Sequence, residues 1–424
     1  MTNHWQNIKL GDIARLVKDG YTPAPEDNTP YIGLEHIEQQ NLRLTGWGIA
    51  SDVTSTKAQF KAGDILFGKL RPYFRKAYRP KFDGICSTDI WVIRAKQGTD
   101  QGFLFYLLAS YEFIDMTAAG SSGTRMPRAD WKYLSNAEWR WKLPPLTEQR
   151  QIAAILSSLD DKIEVNQRMN RTLEQLAQTL FQQWFVAFDF PDAAGRPYRS
   201  NGGELVESKL GEIPKGWQIT TLAEQVEAIR GLSYKGSGLA DSGLPMHNLN
   251  SILEGGGYKH AGIKYYSGDY KERHKIKPGD IIVSNTEQGH KYLLIGYPAV
   301  VPQYFGENGI FSQHLYRVRP KAHSYLPNEF LYYLLISDSV REQILGSTNG
   351  TTVNMLAIDG LQKPIFVYPD SKIASQFAQL ITPIWRKQES NLLQSRTLTN
   401  LRDTLLPQLL SGRLTVQQAA EVVA

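Results

Sequence analysis

The clearest chemical signal in this 424-residue chain is a run of cations threaded with aromatic rings. Residues 61–81, KAGDILFGKLRPYFRKAYRPK, hold Lys61, Lys69, Arg71, Arg75, Lys76, Arg79 and Lys81 against the single carboxylate of Asp64. Tyr73, Phe74 and Tyr78 lie between them. Such cations neutralise phosphates, and the arginine fork matches the O6/N7 edge of guanine. The local excess is larger than that of the whole chain, whose formal net charge is only +5. The plain alternative is a solvated basic hairpin. A second candidate is GSSGTRMPRADWK (120–132). Ser121, Ser122, Thr124 and the glycines let backbone N–H groups approach phosphates, and Arg125 and Arg128 reach further. The alternative there is an ordinary surface loop.

The second half of the chain carries polar counterparts. SNTEQGHK (284–291) stands where the first half has FGKLRPYF, and STNGTTVN (347–354) where it has SSGTRM. Asn285, Gln288, His290, Lys291, Asn349, Thr351 and Asn354 lie in these stretches, with Asn, Gln and His taking the place of Arg and Lys, and Asn or Gln pairs bidentately with adenine. If both sets of loops face bases, the halves read different sequences; otherwise neither set touches a base. YIGLEHI (31–37) and MHNLNSI (246–252) also occupy matching positions. Glu35 can accept from cytosine N4, and His247 or Asn248 can donate. Each is equally at home as a satisfied structural residue.

Signatures of catalysis are missing. A DNA methyltransferase needs a glycine-rich cofactor loop and an Asn/Asp-Pro-Pro-aromatic site, but Pro144-Pro145 follows Leu143 and precedes a helix. The string nearest to a phosphate-binding loop, Gly231 to Ser237, lacks the required lysine. Asp192 with Glu207 and Lys209 loosely matches a metal-nuclease pattern within a Gly/Asn-rich stretch. A self-sufficient nuclease built on that set is one alternative function. A protein–protein scaffold with incidental basic loops is another.

These candidates need elements to hold them, and the chain supplies each element twice. WQNIKLGD (5–12) is echoed by WQITTLAE (217–224), FKAGDILF (60–67) by IKPGDIIV (276–283), and FLFYLLAS (103–110) by FLYYLLIS (330–337). Block order is kept while the offset drifts, as in a duplicated domain with loop insertions. Each half opens with strand-like runs bounded by Gly, Pro and Asn and ends in a long helix. The expected fold is α+β: two homologous mixed α/β recognition domains separated by two long antiparallel coiled-coil helices, in a pseudo-twofold repeat. The expected boundaries are 1–145 for head one, 146–188 for the central helix and 189–212 for a linker. Head two takes 213–368, the distal helix 369–412 and a tail 413–424.

The central helix has an apolar seam through Ile152, Leu156, Leu159, Ile163, Asn166, Asn170, Leu173, Ala177, Leu180 and Trp184. The distal seam reads Ile373, Phe377, Leu380, Ile384, Lys387, Asn391, Gln394, Leu398, Leu401 and Leu405. Steps of four and three alternate, the coiled-coil period. Both seams turn polar at their middles, which fixes register at a cost in stability. Pro383 is expected to kink the distal helix and Gly412 to stop it. About 40 helical residues make a rod of about 60 Å, long enough to hold two readers apart on duplex DNA.

Composition fits this reading. The chain is 42% hydrophobic and 21% charged, with ample apolar material for more than one core. Cys86 is the only cysteine, so no intramolecular disulfide forms. No apolar run is long enough for a membrane span and no secretory leader is visible, so a cytoplasmic setting is expected.

The chain resembles the specificity subunits of type I restriction–modification enzymes. The carriers are GDILFGKLRPYFRK (63–76), PPLTEQRQIAAILSSLDDKIE (144–164), LAQTLFQQWFVAFDFP (176–191), LGEIPKGW (210–217) and LRDTLLPQLLSGRL (401–414). They span both halves in the family's order. The resemblance implies that each head reads one half of a bipartite, asymmetric site on double-stranded DNA. It implies that the helices set the half-site separation and dock two modification subunits. Two restriction subunits are implied as well. S-adenosylmethionine, ATP and Mg2+ chemistry would belong to those partners, with no cofactor, metal or catalytic residue in this chain.

Overall fold

The computed structural model describes residues 5–121, 123, 126–289, 291–350 and 353–423. The chain divides into two compact units, Met1–Asn166 with Gln394–Ala424, and Gln167–Leu393. Each unit therefore takes one head and part of both long helices.

In the first unit, Gln6–Lys9 pairs antiparallel with Glu138–Leu143 and closes the ends of head one. A four-stranded antiparallel sheet follows in the order Ala14–Val17, Ile90–Ala95, Ile65–Gly68, Ala77–Tyr78. A five-stranded sheet runs Gly20–Tyr21, Lys57–Phe60, Gly84–Cys86, Pro30–Ile32, Gly48–Ile49, with one parallel pair, Tyr31 beside Ile85. Helix Gln101–Ala109 is buried at every position but Gln101, so it is apolar all round rather than amphipathic. The Asp100 carboxylate caps it by accepting from Phe103 N, and the Ser110 hydroxyl caps helix Tyr111–Ala119 by accepting from Phe113 N.

The second unit repeats this plan. Gln218–Thr221 pairs with Ile365–Tyr368. The four-stranded sheet runs Val226–Arg230, Leu315–Pro320, Ile281–Ser284, Pro298–Val300. The five-stranded sheet again has one parallel pair, Leu244–His247 with Gly309–Phe311. Helices Asn328–Ile336 and Asp338–Leu345 match the buried helix pair of head one. The repeated Gly-Asp-Ile shows why the sequence blocks recur. Gly63 and Gly279 sit at φ +87° and +83°, which favours glycine. The next residue, Asp64 or Asp280, accepts from the backbone N–H of Lys61 or Lys277. Each aspartate then pairs with an arginine on the sheet, Arg94 or Arg319.

The long helices span Leu146–Phe181 and Ser371–Leu410. In each unit they pack antiparallel. In the first, Asp160 meets Arg402 while Asn166 donates to Gln394 Oε1 at 2.9 Å. In the second, Asn391 donates to Asn170 Oδ1 at 2.8 Å while Gln388 donates to Glu174 Oε2 at 3.2 Å. Of the central seam, Asn170, Leu173 and Leu180 are half-buried and the rest buried.

The distal seam needs correction. Leu380 is 47% exposed, Lys387 and Gln394 are exposed, and Leu401 is only half-buried. The inward line runs Phe377, Ile381, Ile384, Gln388, Asn391, Ser395, Leu398, Arg402, Leu405, Leu409. Steps of four and three still alternate, but in the opposite phase. A 3.5-residue repeat can be phased either way from one anchor, and Leu380 is as apolar as Ile381.

The distal helix continues through Pro383, which is exposed. Two further expectations, for the linker and the tail, change. Stretch 189–212 is not a bare linker: it contains Phe190, whose ring stacks on Tyr198 at 4.7 Å and on Trp217 at 4.8 Å, and Leu205–Val206 pairs with Ile213–Pro214. The tail forms helix Val416–Val423, which buries Ala419 in the core of the first unit. At Gly412, φ +68°, the distal helix has ended.

Candidate nucleic-acid interface

Each head brings its two candidate loops side by side. In head one, Leu70 bridges Arg128, Arg71 N donates to Pro127 O at 2.8 Å, and Ala129 N donates to Lys69 O at 2.9 Å. In head two, Thr286–Gln288 pairs antiparallel with Val353–Leu356, which pairs in turn with Thr348–Asn349. The matching blocks of the two halves thus form matching surfaces.

Partners redistribute the basic run of head one. Lys61 pairs with Asp83 at 2.9 Å, and Lys81 with Asp161 and Glu164 at 3.0 and 2.7 Å. The Glu164 hydrogen bond, more than any other contact, raises the Lys81 ammonium above its usual range. Arg75 is fully buried. Its Nε donates to Ala109 O at 2.6 Å, and its Nη1 and Nη2 donate to Asp403 at 3.2 and 2.9 Å. Arg75 is therefore corrected from a DNA contact to a buried anchor. Lys76 donates to Leu34 O, and burial lowers its ammonium. Arg79 is half-buried against Gly102. Lys69 and Arg71 are half-buried, Tyr73 is 45% exposed, and Arg71 Nε has no partner among the described residues. Arg128 is exposed and held by Asp89 at 3.1 Å, a hydrogen bond that raises its guanidinium. Ser121 is half-buried and donates to Thr117 O.

In head two, Gln288, Lys291 and Asn349 are exposed. Asn285 and Asn354 are each 1% exposed and donate their amides to Gln313 O and Gly289 O, so they brace the loops and are corrected as base readers. Asn248 is also corrected, since it is buried and its amide donates to Gly262 O at 2.7 Å. His247 is 1% exposed and bonded to the Tyr258 hydroxyl at 2.6 Å; burial lowers it to about 3, so it stays neutral in the core. His247 is likewise corrected as a base reader. Ser122, Thr124, Arg125, His290 and Thr351 lie outside the described residues.

The structure adds residues the sequence did not single out. Glu287 is buried and accepts from the backbone N–H groups of Leu293, Leu294 and Ile295, each at 2.9 Å. Asn354 faces inward on its strand, so alternation turns Val353 and Met355 outward, 40% and 47% exposed. Met126 of head one is likewise 49% exposed. Apolar side chains at such positions suit a thymine methyl group. Period-two alternation of hydrophobicity could not have found them, because the four-residue strand Val-Asn-Met-Leu turns its one polar side chain, Asn354, inward.

The nuclease alternative gains no support. Both Asp192 oxygens are taken within their own turn, by the N–H groups of Ala194 and Arg196 and by the Arg196 guanidinium. Among the described residues no group of His, Cys, Asp and Glu could hold a metal ion, and no helix is long and apolar enough to cross a membrane.

Two copies of one head, each carrying a two-loop polar face beside an antiparallel helix pair, define a duplicated recognition protein. Residues 2–175 match the family described as Type I restriction modification DNA specificity domain. The chain is 26% identical to the HindI specificity subunit of Haemophilus influenzae, over 97% of this chain and 99% of that one. It is 31% identical to the EcoDI specificity subunit of Escherichia coli over 43% and 42% of the two chains. The S subunit of a type I restriction–modification system from M. genitalium has the same fold, at 14% identity, TM-score 0.55 and 97% coverage of both chains. By function the chain is a type I restriction–modification DNA specificity subunit.

Proposed function

We propose that each head reads one half of a bipartite, asymmetric site on double-stranded DNA, and that the helix pair sets the half-site separation. The supporting observation is the paired-loop face, built twice on one plan with different side chains. Head one offers Lys69, Arg71, Tyr73 and Arg128; head two offers Gln288, Lys291 and Asn349. One carries cations and the other mainly amides, as a non-palindromic target requires. Ser122, Thr124, Arg125, His290 and Thr351, which lie outside the described residues, are proposed as DNA contacts from their sequence alone.

The helices dock two modification subunits in this reading, and two restriction subunits complete the assembly. S-adenosylmethionine, ATP and Mg2+ serve those partners, in the cytoplasm. This chain supplies recognition only. Selection from a pool of random duplexes tests the reading. The expected outcome is one split motif, binding that weakens steeply with salt, and no cleavage by the chain alone. An unsplit motif, or no motif, overturns it.

A further inference from the structure

The first reading loop is held by a buried ionic chain that reaches out of head one into the long helices. Arg71 and Arg75 both sit in the left-handed region, at φ +49° and +50°. L side chains hold that conformation when their surroundings over-determine it. Those surroundings centre on Arg75. Its guanidinium fork grips Asp403 of the distal helix, its Nη1 also donates to Gln40 O at 3.1 Å, and Tyr111 covers it with a ring centroid 4.3 Å away. Asp403 is shared with Arg402, which is fully buried and donates to Asp160 of the central helix at 2.6 Å. Asp160 in turn accepts from the Tyr106 hydroxyl at 2.7 Å.

Head two braces its loop differently. Glu287 gathers three backbone N–H groups of the loop, and Arg341 from the head's own helix donates to Ile295 O at 2.6 Å under the Tyr297 ring. These partners all lie within head two.

A buried ion pair contributes little net stability but fixes geometry. We propose that Arg75 and Asp403 are positioning residues for specificity: they register the first reading loop on the distal helix and so aim Arg71 and Lys69 at half-site one. The proposal rests on the two-half-site reading above. Its effect is confined to one half-site because head two does not use the device.

The full chain, with its modification partners, is put through duplex selection as wild type and as Asp403→Asn. The expected result for Asp403→Asn is about a tenfold or greater loss of base discrimination in half-site one, with half-site two unchanged. Retention of both half-sites within about twofold overturns the proposal and leaves the split-site reading intact. A wild-type chain that selects no split motif overturns that reading instead. If Asp403→Asn also loses half-site two, the fold has suffered, and Arg75→Lys decides. It keeps the charge without the fork, so half-site one alone should blur; an unchanged motif contradicts the proposal.

Discussion

An arginine in a basic run has two fates, and Arg71 and Arg75 show both within five residues. Arg75 is closed off by Asp403, whereas Arg71 is half-buried and its buried Nε has no hydrogen-bond partner among the described residues. Arg71→Ala is therefore expected to weaken binding to half-site one by about tenfold or more while leaving thermal stability near wild type. Arg75→Ala should instead cost about 3 kcal/mol of stability, measured by denaturant unfolding, because it breaks a buried pair. Local sequence could not separate these residues, since the partner of Arg75 lies 328 positions away. His247 carries the same lesson. Its folded value of about 3 lies below the ordinary 6.5, so below pH 6.5 the unfolded state binds the extra proton. Stability contributed by neutral His247 is complete above pH 6.5 and falls by about 1.4 kcal/mol per pH unit as pH drops from there towards 3. His247→Gln should flatten that slope in acid unfolding curves; an unchanged slope would assign it to other groups.

At the scale of elements, the heptad period was legible and its phase was not. Phe377, Ile384, Asn391, Leu398 and Leu405 recur every seven residues and are buried or half-buried, but the inward residues between them, Ile381, Gln388, Ser395 and Arg402, lie one place after the expected ones. The choice between Leu380 and Ile381 depends on what the facing helix offers, which one strand of the pair cannot reveal. The polar middle was legible, and its pairing is specific: Asn391 donates to Asn170 Oδ1 and Asn170 donates to Gln388 O. Asn391→Leu should destabilise the chain by about 1 kcal/mol by leaving the half-buried Asn170 Oδ1 without this donor. Adding Asn170→Leu should recover most of that loss while loosening helix register. A double-mutant cycle by thermal unfolding measures this, and additive losses would show that the two asparagines act independently.

For the whole molecule, the duplication was the most legible feature, because helix seams, Gly-Asp turns and buried helices repeat in order whatever the loops do. The reading faces were less so. Loop residues are chosen by a target the chain does not contain, and Asn285, Asn354 and Asn248 look like readers until their burial is known. The central claim is that two heads read two half-sites across a gap set by the helices. It is tested most directly by mapping methylated bases in DNA from cells carrying this chain with its modification partners. The map is compared for the unaltered chain and for one with a heptad inserted in each long helix, near Asn170 and Asn391. The account predicts one split motif whose gap grows by about 3 base pairs with both half-sites kept. A motif without a gap, or a gap unchanged by the insertions, would contradict it.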